Sequence, residues 1–249
     1  MSLREQLKML KVGMSRKEVS LSPHNANWFK AFVVAETALK EKIPTGFELH
    51  HIGSTSISGI HAKPVLDILG VVSSIEEFEN YKSTLEALGF VWKGEYGIAN
   101  RRYCVLYDEA EEMGLVHLHV FAKSDSEVEK HLIFRDFLRS SEEASGRYEA
   151  VKLKLAQSFK GVRANYSEGK SEIITQLLTE AFDWKKAGEK KQQVVAAIIG
   201  KNDKFLLGKR ALTKKLLRGI GALFADVLKR MKRLPMPLNV KFLKRWVWS

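Results

Sequence analysis

One stretch, residues 50–72, sets groups able to handle phosphate at close intervals: HHIGSTSISGIHAKPVLDILGVV. Gly53 has no side chain, so a phosphate can approach its backbone closely. Ser54, Thr55 and Ser56 follow with hydroxyls and backbone N–H donors near a possible helix start, where anions are favoured. Lys63 can neutralise a further phosphate oxygen. Asp67 stands on an otherwise apolar strand and could hold Mg²⁺ against that phosphate. A carboxylate buried without a partner is costly, so Asp67 needs an explanation; capping a turn or pairing with Lys63 would also serve. His117 and His119, in LVHLHVF, share one strand face and could complete a metal site with Asp67. The polar face of an outer strand would explain them equally. Arg101, Arg102, Arg135 and Asp136 are further candidates, Arg101 and Arg135 because a guanidinium fork suits phosphate, although surface ion pairs use the same residues. His51 lies close enough to the Gly-Ser turn to orient it.

These groups must be positioned by a sheet. Residues 47–52 read as a short strand ending at the turn, and residues 65–72 as a buried central strand. Strands are also expected at 90–96, 101–107 and 115–121. An amphipathic helix is expected over 24–42, with Trp28, Phe29, Phe32, Val33 and Leu39 near helical spacing. Another is expected over 74–88, capped by Ser74 and stopped at Gly89. Residues 126–184 read as helix, broken near Ser145 and Gly161. About four or five strands with helices clustered at both ends make an α+β domain.

The block HIGSTSISGIHAKPVLDI resembles the signature of the GrpB family, a group with the minimal nucleotidyltransferase fold. FRDFLRSS (residues 134–141) resembles a second family block, and the spaced Tyr148, Lys152, Tyr166 and Lys170 resemble its helical C-terminal part. The resemblance covers roughly residues 20–184. It implies a mixed sheet flanked by helices, a nucleotide or other phosphorylated small molecule as ligand, Mg²⁺ as cofactor, and Asp67 and His119 as catalytic groups. The superfamily pattern continues to a second carboxylate two residues after the first. Here that position is Leu69, on the same strand face as Asp67. Two-metal transfer wants at least two carboxylates, so a binding module without catalysis is the alternative.

Composition bounds the remainder. The formal charge of +12 is uneven: residues 201–249 hold 14 Lys or Arg against Asp203 and Asp226, whereas the first 200 residues carry 27 charges of each sign. No apolar run of roughly eighteen residues is present, so no membrane-spanning helix is expected. The N-terminus lacks a secretory apolar stretch. With Cys104 as the single cysteine, a reducing cytoplasm is expected. The domain is placed at residues 1–185 and a polar linker at 186–191. Residues 192–215 form two short strands around Gly200-Lys201-Asn202-Asp203 and resemble the opening of a Nudix hydrolase domain. No glutamate follows Glu189, so the metal-binding glutamates of such a domain are missing. The genetic code offers a reason: glutamate codons read one base late yield mostly Lys, Asn, Arg or Ser. Suitable codons for residues 238–249, read one base earlier, give Glu-Arg-Glu-Ile-Ser-Glu-Glu-Met-Gly-Val-Glu, the core of a Nudix box. Residues 216–249 are therefore expected to be an out-of-frame tail without Nudix activity. Their charge would otherwise point to nucleic acid or an anionic surface; on this account nucleic acid is not the expected partner. The coding DNA checks this: the codons of residues 238–249 are expected to spell that box in the other frame, and any other spelling rejects it.

Overall fold

The computed structural model describes residues 1–17, 19–43, 46–158, 168–191, 195–201 and 204–210. Tyr166, the second expected helix break at Gly161 and the tail from residue 211 lie outside them.

Contacts divide the chain into residues 1–182 and 183–249. The first unit is built on a six-stranded mixed sheet. Its strands are β1 (Met14–Ser15), β2 (Glu48–Ile52), β3 (Leu66–Val72), β4 (Phe90–Trp92), β5 (Arg102–Asp108) and β6 (Met113–Ala122). The order is β2-β3-β6-β5-β4, with β1 pairing β6. Only β3 and β6 run parallel, setting Asp67 beside His117 and Leu69 beside His119. Alternation along each strand then divides the chemistry. Leu66, Ile68, Val116, Leu118 and Val120 face one way, into the main core. Asp67, Leu69, His117 and His119 face the other way.

The main core is covered by α1 (Leu3–Met9), α2 (Asn27–Lys42), α3 (Ile75–Glu79) and α4 (Lys82–Ala87). On α2 the buried stripe is Trp28, Ala31, Phe32, Ala35 and Leu39. Phe29 and Val33, expected inward, are exposed; the two alanines let the backbone approach the sheet on the other stripe. The helix expected over residues 74–88 is two short helices, its first half capped by the Ser74 hydroxyl accepting from the Glu77 N–H. The strand expected to reach residue 96 ends at Trp92, because Gly94, Tyr96 and Gly97 take positive φ.

The opposite sheet face is covered by α5 (Ser126–Ser140), and α6 (Glu142–Ser158) and α7 (Ser171–Lys191) follow. Residues of α5, α6 and the part of α7 before Asp183 share a second core with Ile57 and Ile60, from the segment after the Gly-Ser turn. The helix break expected near Ser145 falls at Ser141, which is extended and caps α6 by accepting from the Ala144 N–H at 3.2 Å. Ser141-Glu142-Glu143 is a helix-start signal, and it outweighs the propensity cost of Gly146 inside α6. Residues 186–191, expected as a linker, are the end of α7. In the second unit, β7 (Val195–Lys201) and β8 (Lys204–Arg210) form the expected antiparallel hairpin. Cys104 is free and buried, and burial pushes its thiol up to about 12. Among the described residues no helix is long and apolar enough to cross a membrane.

Candidate functional site

The end of β2 turns sharply at Gly53, with φ 68° and ψ −174°, a region essentially confined to glycine. A Cβ there would lie 2.8 Å from the Asp67 Cβ and closer still to Oδ2. Glycine is therefore required twice, by its dihedrals and by the carboxylate beside it. The chain then makes a single 3₁₀ turn, Ser54–Ser56. The Ser56 hydroxyl and N–H both donate to the Gly53 carbonyl, at 2.7 and 3.2 Å. His51 is buried, stacks on Phe32 and meets the Thr55 hydroxyl at 2.9 Å. Burial holds its imidazole down at about 4, so it is neutral when folded near pH 7. Arg139, not singled out in the sequence, donates to the Ser56 carbonyl at 3.0 Å.

Asp67 lies beside this turn with about a third of its side chain exposed. Its Oδ1 sits 3.0 Å from His117 Nδ1 and 3.9 Å from His119 Nε2. Burial alone would raise its pKa; hydrogen bonding and charge from the two imidazoles override that and hold it well below the usual carboxylate range. Arg101 closes the far side of His119, its guanidinium 3.3 Å from Nδ1. Arginine can only donate, so His119 Nδ1 accepts and its proton sits on Nε2, toward Asp67. The sequence grouped Asp67, His117 and His119 and marked Arg101 apart; the sheet brings all four together.

Leu69 is fully buried with Ile52, Val71 and Phe121, beneath Val128 and Leu132 of α5. The position of the second carboxylate is therefore sealed. Of the residues expected as metal ligands, Asp67 and His117 are hydrogen-bonded and His119 lies beside them. Among the described residues no cluster of three or more His, Cys, Asp or Glu is arranged to hold a metal. Mg²⁺ demands near-octahedral oxygen ligands. This set offers one carboxylate, one oxygen of which is already engaged by His117, and so does not fit a resident Mg²⁺.

Between the turn and the helical layer lies a cavity of about 90 Å³, lined by Gly53, Ser54, Thr55, Lys63, Asp67, Tyr148 and Lys170. Five of these were legible as site residues. Tyr148 and Lys170 come from the helical part, where they stood out only through the family resemblance. Burial pushes the Tyr148 phenol up to about 12, against a hydrogen bond with Ser54. Behind it Lys152, almost wholly buried, donates to the His61 carbonyl and lies over the Tyr148 ring. Burial brings the Lys152 ammonium down to about 7 and also lowers Lys170, against the attraction of Asp67. Arg135 is not in the cavity; it donates to the Asp136 carboxylate and the His51 carbonyl. Ser56 spends its hydroxyl inside the turn. A larger cavity of about 510 Å³, lined by Lys8, Lys11, Trp28 and Pro64 among others, holds none of the candidate site residues.

The sequence model described as "GrpB protein" matches residues 18–180. The chain belongs to the GrpB family. It is 32% identical over 189 residues to UPF0157 protein YqkA of Bacillus subtilis, an alignment covering 76% of this chain and 54% of that protein. The chain thus spans about half the length of YqkA. It is 28% identical over 175 residues to the glutamate-rich protein GrpB of Alkalihalophilus pseudofirmus, covering 68% of this chain and 99% of the relative. The crystal structure of conserved protein GrpB from Enterococcus faecalis is similar with a TM-score of 0.60 and 26% identity, covering 66% of this chain and 99% of that one.

Two outcomes follow from this geometry. Gly53→Ala adds a clash with Asp67 to an unfavourable dihedral. It is expected to destabilise the protein by about 1–3 kcal/mol or more, measured by urea unfolding. The second concerns pH. His51 and His131 are both held at about 4 by burial, from 6.5. Between those values the unfolded chain binds more protons than the folded one, so stability rises with pH. Unfolding free energy is expected to fall as pH drops from about 6.5 to about 4, and His131→Phe is expected to flatten that slope in urea titrations at pH 7, 5.5 and 4.5.

Proposed function

We propose that the 53–67 pocket binds the phosphate of a nucleotide or other phosphorylated small molecule. The domain, on this reading, is a nucleotidyltransferase-like fold serving ligand binding. The observation that carries it is the convergence of Lys63 and Lys170 on a small cavity floored by the Gly53–Thr55 backbone. The two lysines are remote in sequence, and the 3₁₀ turn supplies hydroxyls and N–H groups between them. About 90 Å³ is far below the several hundred Å³ of a whole-ligand pocket. It suits one anionic group, with the rest of the ligand outside.

The lysines supply the positive charge, so binding needs no resident ion. Asp67 has two tasks: its carboxylate occupies the space that Gly53 leaves open, and its charge faces Lys170 across the cavity. Leu69 favours binding over two-metal transfer, because the second carboxylate position is apolar and closed. Nucleotidyl transfer is the second reading, favoured by the opening of Asp67 onto the cavity; on it Asp67 and His119 would be the reacting pair.

Calorimetric titration of the full chain tests this with inorganic pyrophosphate and the common nucleoside triphosphates, in Mg²⁺ and in EDTA. Binding is expected in both buffers, weakened about tenfold or more by Lys170→Ala and by Lys63→Ala, since a hydrogen bond to a charged group is worth about 1.5–3 kcal/mol. Binding found only with Mg²⁺ and lost in Asp67→Asn would favour the transfer reading. No binding by any of these ligands overturns both.

A further inference from the structure

Tyr103 on β5 sits opposite His119 on β6, on the sheet face that carries Asp67. Its ring centroid is 5.9 Å from that of His117 and 5.0 Å from that of His119. Tyr96, from the loop joining β4 to β5, stacks on Tyr103 at 5.3 Å with the planes 21° apart. A row of flat rings thus runs from Asp67 through His117 and Tyr103 to Tyr96.

Tyr96 is the outermost ring and is 66% exposed. One face of the ring covers Tyr103, and most of the residue's surface meets solvent. Its backbone has φ 47°, a conformation a bulky residue rarely adopts. The loop is nevertheless firmly held. Arg101, itself almost wholly buried, donates to the Glu95 and Tyr96 carbonyls at 3.1 and 2.7 Å and lies over the Tyr103 ring. The Asn100 N–H donates to the Glu95 carboxylate, and the Tyr103 N–H to the Gly94 carbonyl. A buried arginine, a positive φ and several hydrogen bonds hold one aromatic ring outward at the rim of the site face. Ring order set before binding reduces the entropy lost when a second ring stacks.

We infer that Tyr96 is the stacking platform for the planar base of a nucleotide whose terminal phosphate occupies the 53–67 pocket. The inference rests on the phosphate reading above and narrows its ligand to one bearing an aromatic ring. Stacking tolerates any base, since every base has a π-face. It also gives Arg101 a role as a positioning residue: its guanidinium aims the loop rather than meeting phosphate.

The test titrates the full chain with ADP, GDP, CDP and UDP, and separately with inorganic pyrophosphate. Tyr96→Ala is expected to weaken at least one nucleoside diphosphate by about 5- to 150-fold and to leave pyrophosphate unchanged. Tyr96→Phe keeps the ring and is expected to bind like the parent. Tyr96→Trp is expected to show indole emission quenched by the nucleotide and not by pyrophosphate. If Tyr96→Ala changes no nucleotide, or weakens pyrophosphate equally, the platform is rejected. If pyrophosphate binds in a Lys170-dependent way but no nucleoside diphosphate depends on Tyr96, only the ring assignment fails. If neither class binds, the phosphate reading fails and takes this one with it.

Discussion

The Asp67 carboxylate occupies the space where a side chain on residue 53 would be. Much of the site depends on that approach. It fixes residue 53 as glycine, it lets β2 end in a turn whose first dihedral is positive, and it places Ser54 and Thr55 at the edge of a cavity rather than inside the core. The turn is braced from both sides, by His51 against the Thr55 hydroxyl and by Arg139 against the Ser56 carbonyl.

Charge around Asp67 is balanced rather than neutralised by one partner. Two imidazoles keep the carboxylate ionised despite burial, while Lys63 and Lys170 line the cavity in front of it. An anion entering there meets lysines first, and Asp67 limits how closely it can settle. Lys152, one layer behind, donates to the His61 carbonyl and lies over the Tyr148 ring, and the Glu149 carboxylate favours its charge against burial.

Leu69 marks the boundary between this pocket and the rest of the sheet. Two residues beyond Asp67 the same face passes from polar groups to the apolar contacts of α5. That change leaves Asp67 as the one carboxylate on the strand. It also confines the polar surface to Asp67, His117 and the rings beyond them. The pocket and Tyr96 then lie at the two ends of one row of side chains on this face.

The local pattern alone carried a good deal. The Gly53-Ser54 turn, the buried strand around Asp67, the shared face of His117 and His119 and the β7–β8 hairpin were all legible, because each depends on neighbours within a few residues. The sequence also exposed the charge asymmetry of the tail, which lies beyond the described residues. Other features were decided only by tertiary structure. Alternation puts His117 and His119 on one face but cannot say that β6 lies parallel to β3, and that pairing is what brings them to Asp67. Helical periodicity on α2 could not choose between the stripes led by Trp28 and by Phe29, since the sheet selects the one whose alanines allow close packing. Tyr148 and Lys170 are more than eighty residues from the turn they face. No local spacing rule reaches that far; their place is set by how the helical layer packs on Ile57 and Ile60.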